Sequence, residues 1–139
     1  MKGVYVLAIS VSKNINVKVC SRKNFFLEKG FYAYVGSAQK SLEKRLIRHF
    51  SKTGKKRFWH IDHLLAINGV SVVKAFYKEA AKQEECRTAL SLSGVAFSID
   101  GFGCSDCKCE SHLFRFESLS LLENACLKLG FKLFTLSCQ

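Results

Sequence analysis

Apolar and polar positions along the chain alternate between two periods, and the elements follow from them. Residues 3–11, GVYVLAISV, predict a first strand, with Tyr5 on the face opposite Val4 and Val6. Asn14 and Asn16 suit a turn around 12–15. Residues 15–20, INVKVC, then predict a second strand in a hairpin with the first. Residues 21–29 read as a loop. Gly30 opens a run of Phe31, Tyr32, Tyr34 and Val35 that predicts a third strand over 31–36, ended by a turn at Gly36-Ser37. Leu42, Leu46 and Phe50 recur every four residues, the spacing of one buried helical face, and predict a helix over about 40–52. Arg45 and His49 are also four apart and lie just beside that line, at the edge of the helix–sheet contact.

Further elements follow in order. Residues 58–65 predict a short helix, 70–78 a fourth strand, and 79–92 a helix rich in Ala, Glu, Lys and Leu. Ala81, Glu85 and Ala89 share a face of that helix. The tail predicts a short strand at LFRFE, a helix over 118–129 with Gly130 at its C-cap, and a last strand from Phe131. The tail is expected to cover a sheet face or edge. The expected class is α+β: a small central, mainly antiparallel sheet flanked by helices, in a single domain over residues 1–139.

Composition narrows the function. No 18-residue apolar run occurs, which argues against a transmembrane helix. The apolar start lacks a clean small-residue cleavage site, and its alternation fits a strand better than a signal peptide. Seven cysteines, an odd number, point to a reducing compartment, and the expected location is cytoplasmic. The formal net charge is +11. Residues 40–57 hold eight of the 22 Lys and Arg against one acid, Glu43. Such a run is either a solvated basic face or the footprint of a phosphate backbone. On the second reading Gly36, Lys40, Arg48, Lys55, Lys56 and Arg57 are the expected nucleic-acid contacts.

Several constellations carry possible chemistry, each beside a plainer reading. On pattern alone Tyr5 is a buried core tyrosine, and Glu84-Glu85 is a pair of solvated helix carboxylates. His60 and His63, three apart beside Asp62, are either a metal pair or a structural face. Cys104, Cys107, Cys109 and His112 offer four zinc ligands within nine residues. One tight loop rarely closes a tetrahedron, so Cys107, Cys109 and His112 with a distant histidine are geometrically easier. The plainer reading is a turn of buried thiols. Cys20, Cys86, Cys126 and Cys138 read as scattered core or surface thiols.

Gly3-Val4-Tyr5, Tyr34-Val35-Gly36, Arg45 and His49 together resemble the GIY-YIG nuclease superfamily, although one residue more than usual separates Tyr34 from Arg45. Trp59–Leu65, Glu85-Cys86 and Phe102–Leu113 resemble the WHIDxLL, Glu-Cys and FGxSDCxCxSHL motifs of a mostly archaeal branch. That branch has an uncertain function and is sometimes fused to DNA-repair glycosylases. The resemblance runs from residue 3 to about 116. It implies a divalent-metal-dependent endonuclease with Mg or Mn on Glu85, or on Glu84 as the runner-up. Arg45 would hold the scissile phosphate. Tyr5 with Tyr34 would deprotonate or orient water, and His49 would assist. Arg45 and the metal would lower the tyrosine pKa. A DNA-repair protein is the implied partner. The alternatives are a non-catalytic DNA- or RNA-binding module and a zinc-stabilised interaction domain.

Overall fold

The fold is that of a computed structural model, which describes residues 1–19, 23–51, 60–103 and 109–135. The architecture is α+β. A six-stranded antiparallel sheet carries four helices, and a two-stranded ribbon lies beside it. The strands are β1 (Gly3–Val11), β2 (Ile15–Val19), β3 (Lys23–Leu27), β4 (Gly30–Ala38), β5 (Val70–Lys78), β6 (Phe97–Ser98), β7 (Leu113–Phe116) and β8 (Lys132–Phe134). The helices are α1 (Leu42–Phe50), α2 (His60–Leu65), α3 (Gln83–Ser93) and α4 (Leu119–Lys128). The sheet order is β6-β7-β4-β1-β5-β8.

β1 is the axis of the sheet. Its apolar residues have no polar alternation because both of its faces are covered. Tyr5, Leu7, Ile9 and Val11 join one core with the ribbon, Leu42 and Leu46 of α1, and Ile61, Leu64 and Leu65 of α2. Val4, Val6 and Ala8 join the other core with Ala89 and Leu92 of α3 and Leu122 and Cys126 of α4. α1 and α2 therefore pack on one face and α3 and α4 on the other.

The expected β1–β2 hairpin does not form. β4 and β5 take both edges of β1, so β2 has no edge of β1 to pair with. It pairs instead with β3, which lies in the stretch expected to be a loop. Phe25 and Leu27 of β3 are buried while Asn24 and Phe26 are exposed, the period-two pattern of a strand with one face on the core. The tail behaves as expected: α4 covers a face, and β8 pairs along the edge of β5. α4 ends in a Schellman motif. Gly130 has φ 88°, its N–H donates to Leu127 O, and Phe131 N–H donates to Cys126 O.

Arg48 joins α1 to α2. Its guanidinium donates to both carboxylate oxygens of Asp62, at 2.9 and 3.2 Å, and the Asp62 side chain is fully buried. Arg48, an expected nucleic-acid contact, therefore also has a structural role: its charge compensates a buried carboxylate. Arg48→Met should therefore destabilise the chain by about 3 kcal/mol, the lower end for a broken buried pair, because Arg48 itself keeps some exposure. Lys40→Met, at an exposed site, should stay within about 0.5 kcal/mol. Urea unfolding of the two variants makes the comparison. Equal stabilities would mean that Arg48 is as dispensable as a surface lysine.

Candidate active site

The site begins at a close crossing of β1 and β4. Tyr5 and Gly36 are partners across the two strands. A Cβ built on Gly36 would lie 2.5 Å from both Cζ and Oη of Tyr5. Only glycine lets the phenol ring lie over the neighbouring strand. Gly36 is thus not the expected turn. β4 continues to Ala38, and the left-handed residue comes later, at Ser41 with φ 50°. Gly36 is also buried, like Tyr5 and His49. Gly3 has a similar reason: its Cβ would run into the carbonyl of Lys78.

The ring so placed reaches α1. Tyr5 Oη and His49 Nε2 are 2.9 Å apart, and the two rings are tilted with centroids 5.3 Å apart. Tyr34 lies 6.5 Å from Tyr5 by the same measure. Arg45, one turn before His49, hydrogen-bonds the Tyr5 hydroxyl, and its Nη1 donates to Ser37 O at 3.3 Å. Ser37 Oγ in turn donates to Glu85 Oε1 at 2.6 Å. Arg45 and Glu85 therefore meet at one residue, although they come from helices on opposite faces of the sheet. The other Glu85 oxygen, Oε2, lies 3.0 Å from His112 Nδ1. Glu84 is engaged elsewhere, with Lys78 at 2.8 Å and Arg87 at 3.6 Å.

The electrostatics bear on one expectation. Burial raises the Tyr5 phenol well above its ordinary value, and the Arg45 charge and hydrogen bond recover only part of that shift. Tyr34 is raised by burial too, with Tyr5 and Glu85 adding to it. Arg45 thus acts on both tyrosines in the expected direction, but burial raises them by more. For Glu85, burial pulls the carboxyl up, but hydrogen bonds from His112 and Ser37 outweigh it, and the net shift is downward. Glu85 is held as a carboxylate.

Lys40 is exposed, as a phosphate contact needs. Lys55, Lys56 and Arg57 lie outside the described residues, as do Cys104 and Cys107. Cys109 and His112 are described, and the residue they meet is Cys86 from α3. Among the described residues these three form a group whose ligand atoms all lie within 4.8 Å of one another. Sequence reasoning set Cys86 aside as scattered and gave Ser37 a turn rather than a place in the site. The signals were its adjacency to Glu85 for Cys86, and its place directly after Tyr34-Val35-Gly36 for Ser37. His60 and His63 do not converge on Asp62. His60 Nδ1 accepts from Gly103 N–H at 2.8 Å and its ring packs on Phe25 and Phe102, a structural role. A groove of about 880 Å³ lies away from all of this, between Phe26, Tyr32, Phe97, Arg115, Phe116 and Leu121. Its lining is largely apolar, and none of the candidate catalytic residues reaches it.

These features define an α+β protein with a polar cluster of Tyr, His, Arg and Glu at one end of an antiparallel sheet. The family model for the domain of unknown function DUF123 matches residues 4–134, and the chain belongs to that family. No curated protein and no solved structure matches it. Among the described residues no helix is long and apolar enough to cross a membrane.

Two outcomes follow from this geometry. Gly36→Ala must push the buried end of the Tyr5 ring aside, and should cost about 1–3 kcal/mol in urea unfolding. An unchanged stability would show that the ring is not pinned. The second concerns alkaline pH. A raised phenol pKa in the fold gives a contribution that is complete below the unfolded value of about 10 and is lost as pH rises past it. The stability of Tyr5→Phe should therefore fall less steeply above pH ~10 than that of the parent chain. Parallel slopes would place the Tyr5 hydroxyl in a solvent-like setting.

Proposed function

We propose that this chain is a GIY-YIG-type endonuclease that hydrolyses phosphodiester bonds of nucleic acid, with DNA as substrate and repair as the setting. The observation that carries the reading is the junction at Ser37. Arg45 holds its carbonyl, Glu85 holds its hydroxyl, and the oxygen of Tyr5 lies against Arg45 with His49 behind it. A cation clamp for a phosphate and an ionised carboxylate for a metal are thus fixed on either side of one backbone segment. The net charge of +11 and the basic run of residues 40–57 support a polyanionic partner.

Each group has a role that its surroundings support. The planar fork of Arg45 suits two oxygens of the scissile phosphate. Glu85 offers hard oxygen donors, and its two hydrogen bonds use about half of a carboxylate's four lone-pair positions. It fits Mg or Mn, which take one or two carboxylates plus water and phosphate oxygens. When bound, such a cation polarises the phosphate and acidifies water. Tyr5, with its raised pKa, keeps its proton at neutral pH. It acts as a relay, taking a proton from water on its oxygen while passing its own to Nε2 of a neutral His49. Tyr34 walls the same space.

One observation favours the rival, a non-catalytic binding module: Tyr5 and His49 are each only 2% exposed. The two readings part at Glu85, because its charge serves cleavage by holding a metal and serves a binder's phosphate clamp not at all. The test uses labelled single-stranded, duplex, branched and abasic DNA, with and without Mg²⁺ or Mn²⁺. Metal-dependent cleavage is expected, reduced by at least about 100-fold in Arg45→Ala. Glu85→Gln should abolish cleavage while metal-free binding stays the same or tightens, since a like charge has been removed. DNA binding without cleavage under every condition would establish the binding module instead.

A further inference from the structure

We propose a second, soft-metal centre in this chain: a zinc site formed by Cys86, Cys109 and His112. The three side chains come from two parts of the fold. Cys86 lies in the first half of α3, Cys109 in the loop before β7, and His112 directly before that strand. Their ligand atoms all lie within 4.8 Å of one another. Zinc–sulfur and zinc–nitrogen bonds of about 2.3 and 2.0 Å place tetrahedral ligands roughly 3.3–3.8 Å apart, so closure onto an ion needs a shift of about 1 Å. A helix and a loop supply the ligands, which removes the difficulty of wrapping one tight loop around a tetrahedral ion.

The second observation is how His112 is held. Its ring is buried, and Nδ1 sits 3.0 Å from Glu85 Oε2 and 3.2 Å from Val35 O. Both neighbours are acceptors, so Nδ1 carries a hydrogen, and in the neutral ring Nε2 is then the nitrogen with the lone pair. A carboxylate on one ring nitrogen that leaves the other basic is the usual support of a metal-bound histidine. The backbone is fixed as well: His112 N–H donates to Phe102 O, and His112 O accepts from Val35 N–H, both at 2.9 Å. The imidazole is therefore oriented before an ion arrives. Cys86 and Cys109 are partly exposed, which gives the ion a way in. Two thiols and an imidazole select zinc over Mg or Mn, which prefer oxygen donors. An ion there would tie α3 to the start of β7 and hold Glu85 against Ser37. Glu85 acts on this ion only through His112, as a positioning residue.

The site stands apart from the nuclease reading, because its test needs no substrate. The full chain is purified under reductant without chelator, its zinc is counted, and Co²⁺ is titrated into the metal-free protein. About one zinc per chain is expected, with a cobalt spectrum that shows thiolate-to-metal charge transfer. Cys86→Ser and Cys109→Ser should each weaken metal affinity by at least tenfold. Glu85→Gln should weaken it about 10–100-fold while keeping the charge-transfer band. Cys126→Ala is the thiol control, since that thiol lies outside the three-residue group, is buried in the core under α3 and α4, and is pushed up to about 12 by burial. A reduced wild-type chain that retains no zinc after equimolar addition and gel filtration would overturn the proposal. So would a cobalt spectrum without a thiolate band, or a folded Cys86→Ser that binds zinc as the parent does. The wild-type spectrum decides even if a variant fails to fold.

Discussion

The position of the Tyr5 ring across Gly36 is the constraint on which the candidate site depends. A side chain on β1 normally stands over its own strand. Here the neighbouring residue has no Cβ, so the ring leans over β4 and its hydroxyl arrives at α1. That contact sets the register of α1 against the sheet. Leu42 and Leu46 bury the same helix face, and the four-residue spacing then brings Arg45 and His49 to the phenol oxygen together. One missing methyl group on β4 thereby determines where a cation and an imidazole sit on a helix.

The periodic parts of the chain were legible because burial imposes the period. β1, β4 and β5, and the apolar faces of α1 and α4, follow directly from it. Partnering was not legible in the same way. The pattern of residues 15–19 says strand but not with which neighbour, and a hairpin with β1 is the local choice. It fails because β4 and β5, far away in sequence, both need an edge of β1. The Gly36-Ser37 pair misled for a related reason. Glycine followed by serine suits a turn, but the same two residues serve a strand in which the first clears space for a ring and the second offers a hydroxyl.

Charge was similarly ambiguous. Arg45 and Arg48 sit one turn apart or less in a run of basic residues, and charge alone does not separate them. The fold separates them. Arg48 faces α2, where a buried Asp62 takes its guanidinium, while Arg45 faces the sheet end and holds Ser37 and Tyr5. A count of basic residues therefore overstates the charge available to a polyanion. Glu84 and Glu85 divide in the same manner, one to Lys78 and one to the site. Adjacent residues on a helix point about 100° apart, so Glu84 and Glu85 reach different partners.

Ser37 shows why the two halves of the site are coupled although they lie on opposite faces. Residues of a strand alternate faces, so a side chain near Tyr5 and one near α3 cannot both be held by β4 side chains at a single position. Ser37 avoids this by using its backbone for one and its side chain for the other. Its carbonyl accepts from Arg45, and its hydroxyl donates to Glu85. A substitution there would act on both groups, but differently. Ser37→Ala keeps the carbonyl and removes only the donor to Glu85, while the contact of that carboxylate with His112 stays. Arg45 and Tyr5 would keep their arrangement. The phosphate clamp and the carboxylate are thus mechanically joined through one residue and chemically separable at its hydroxyl.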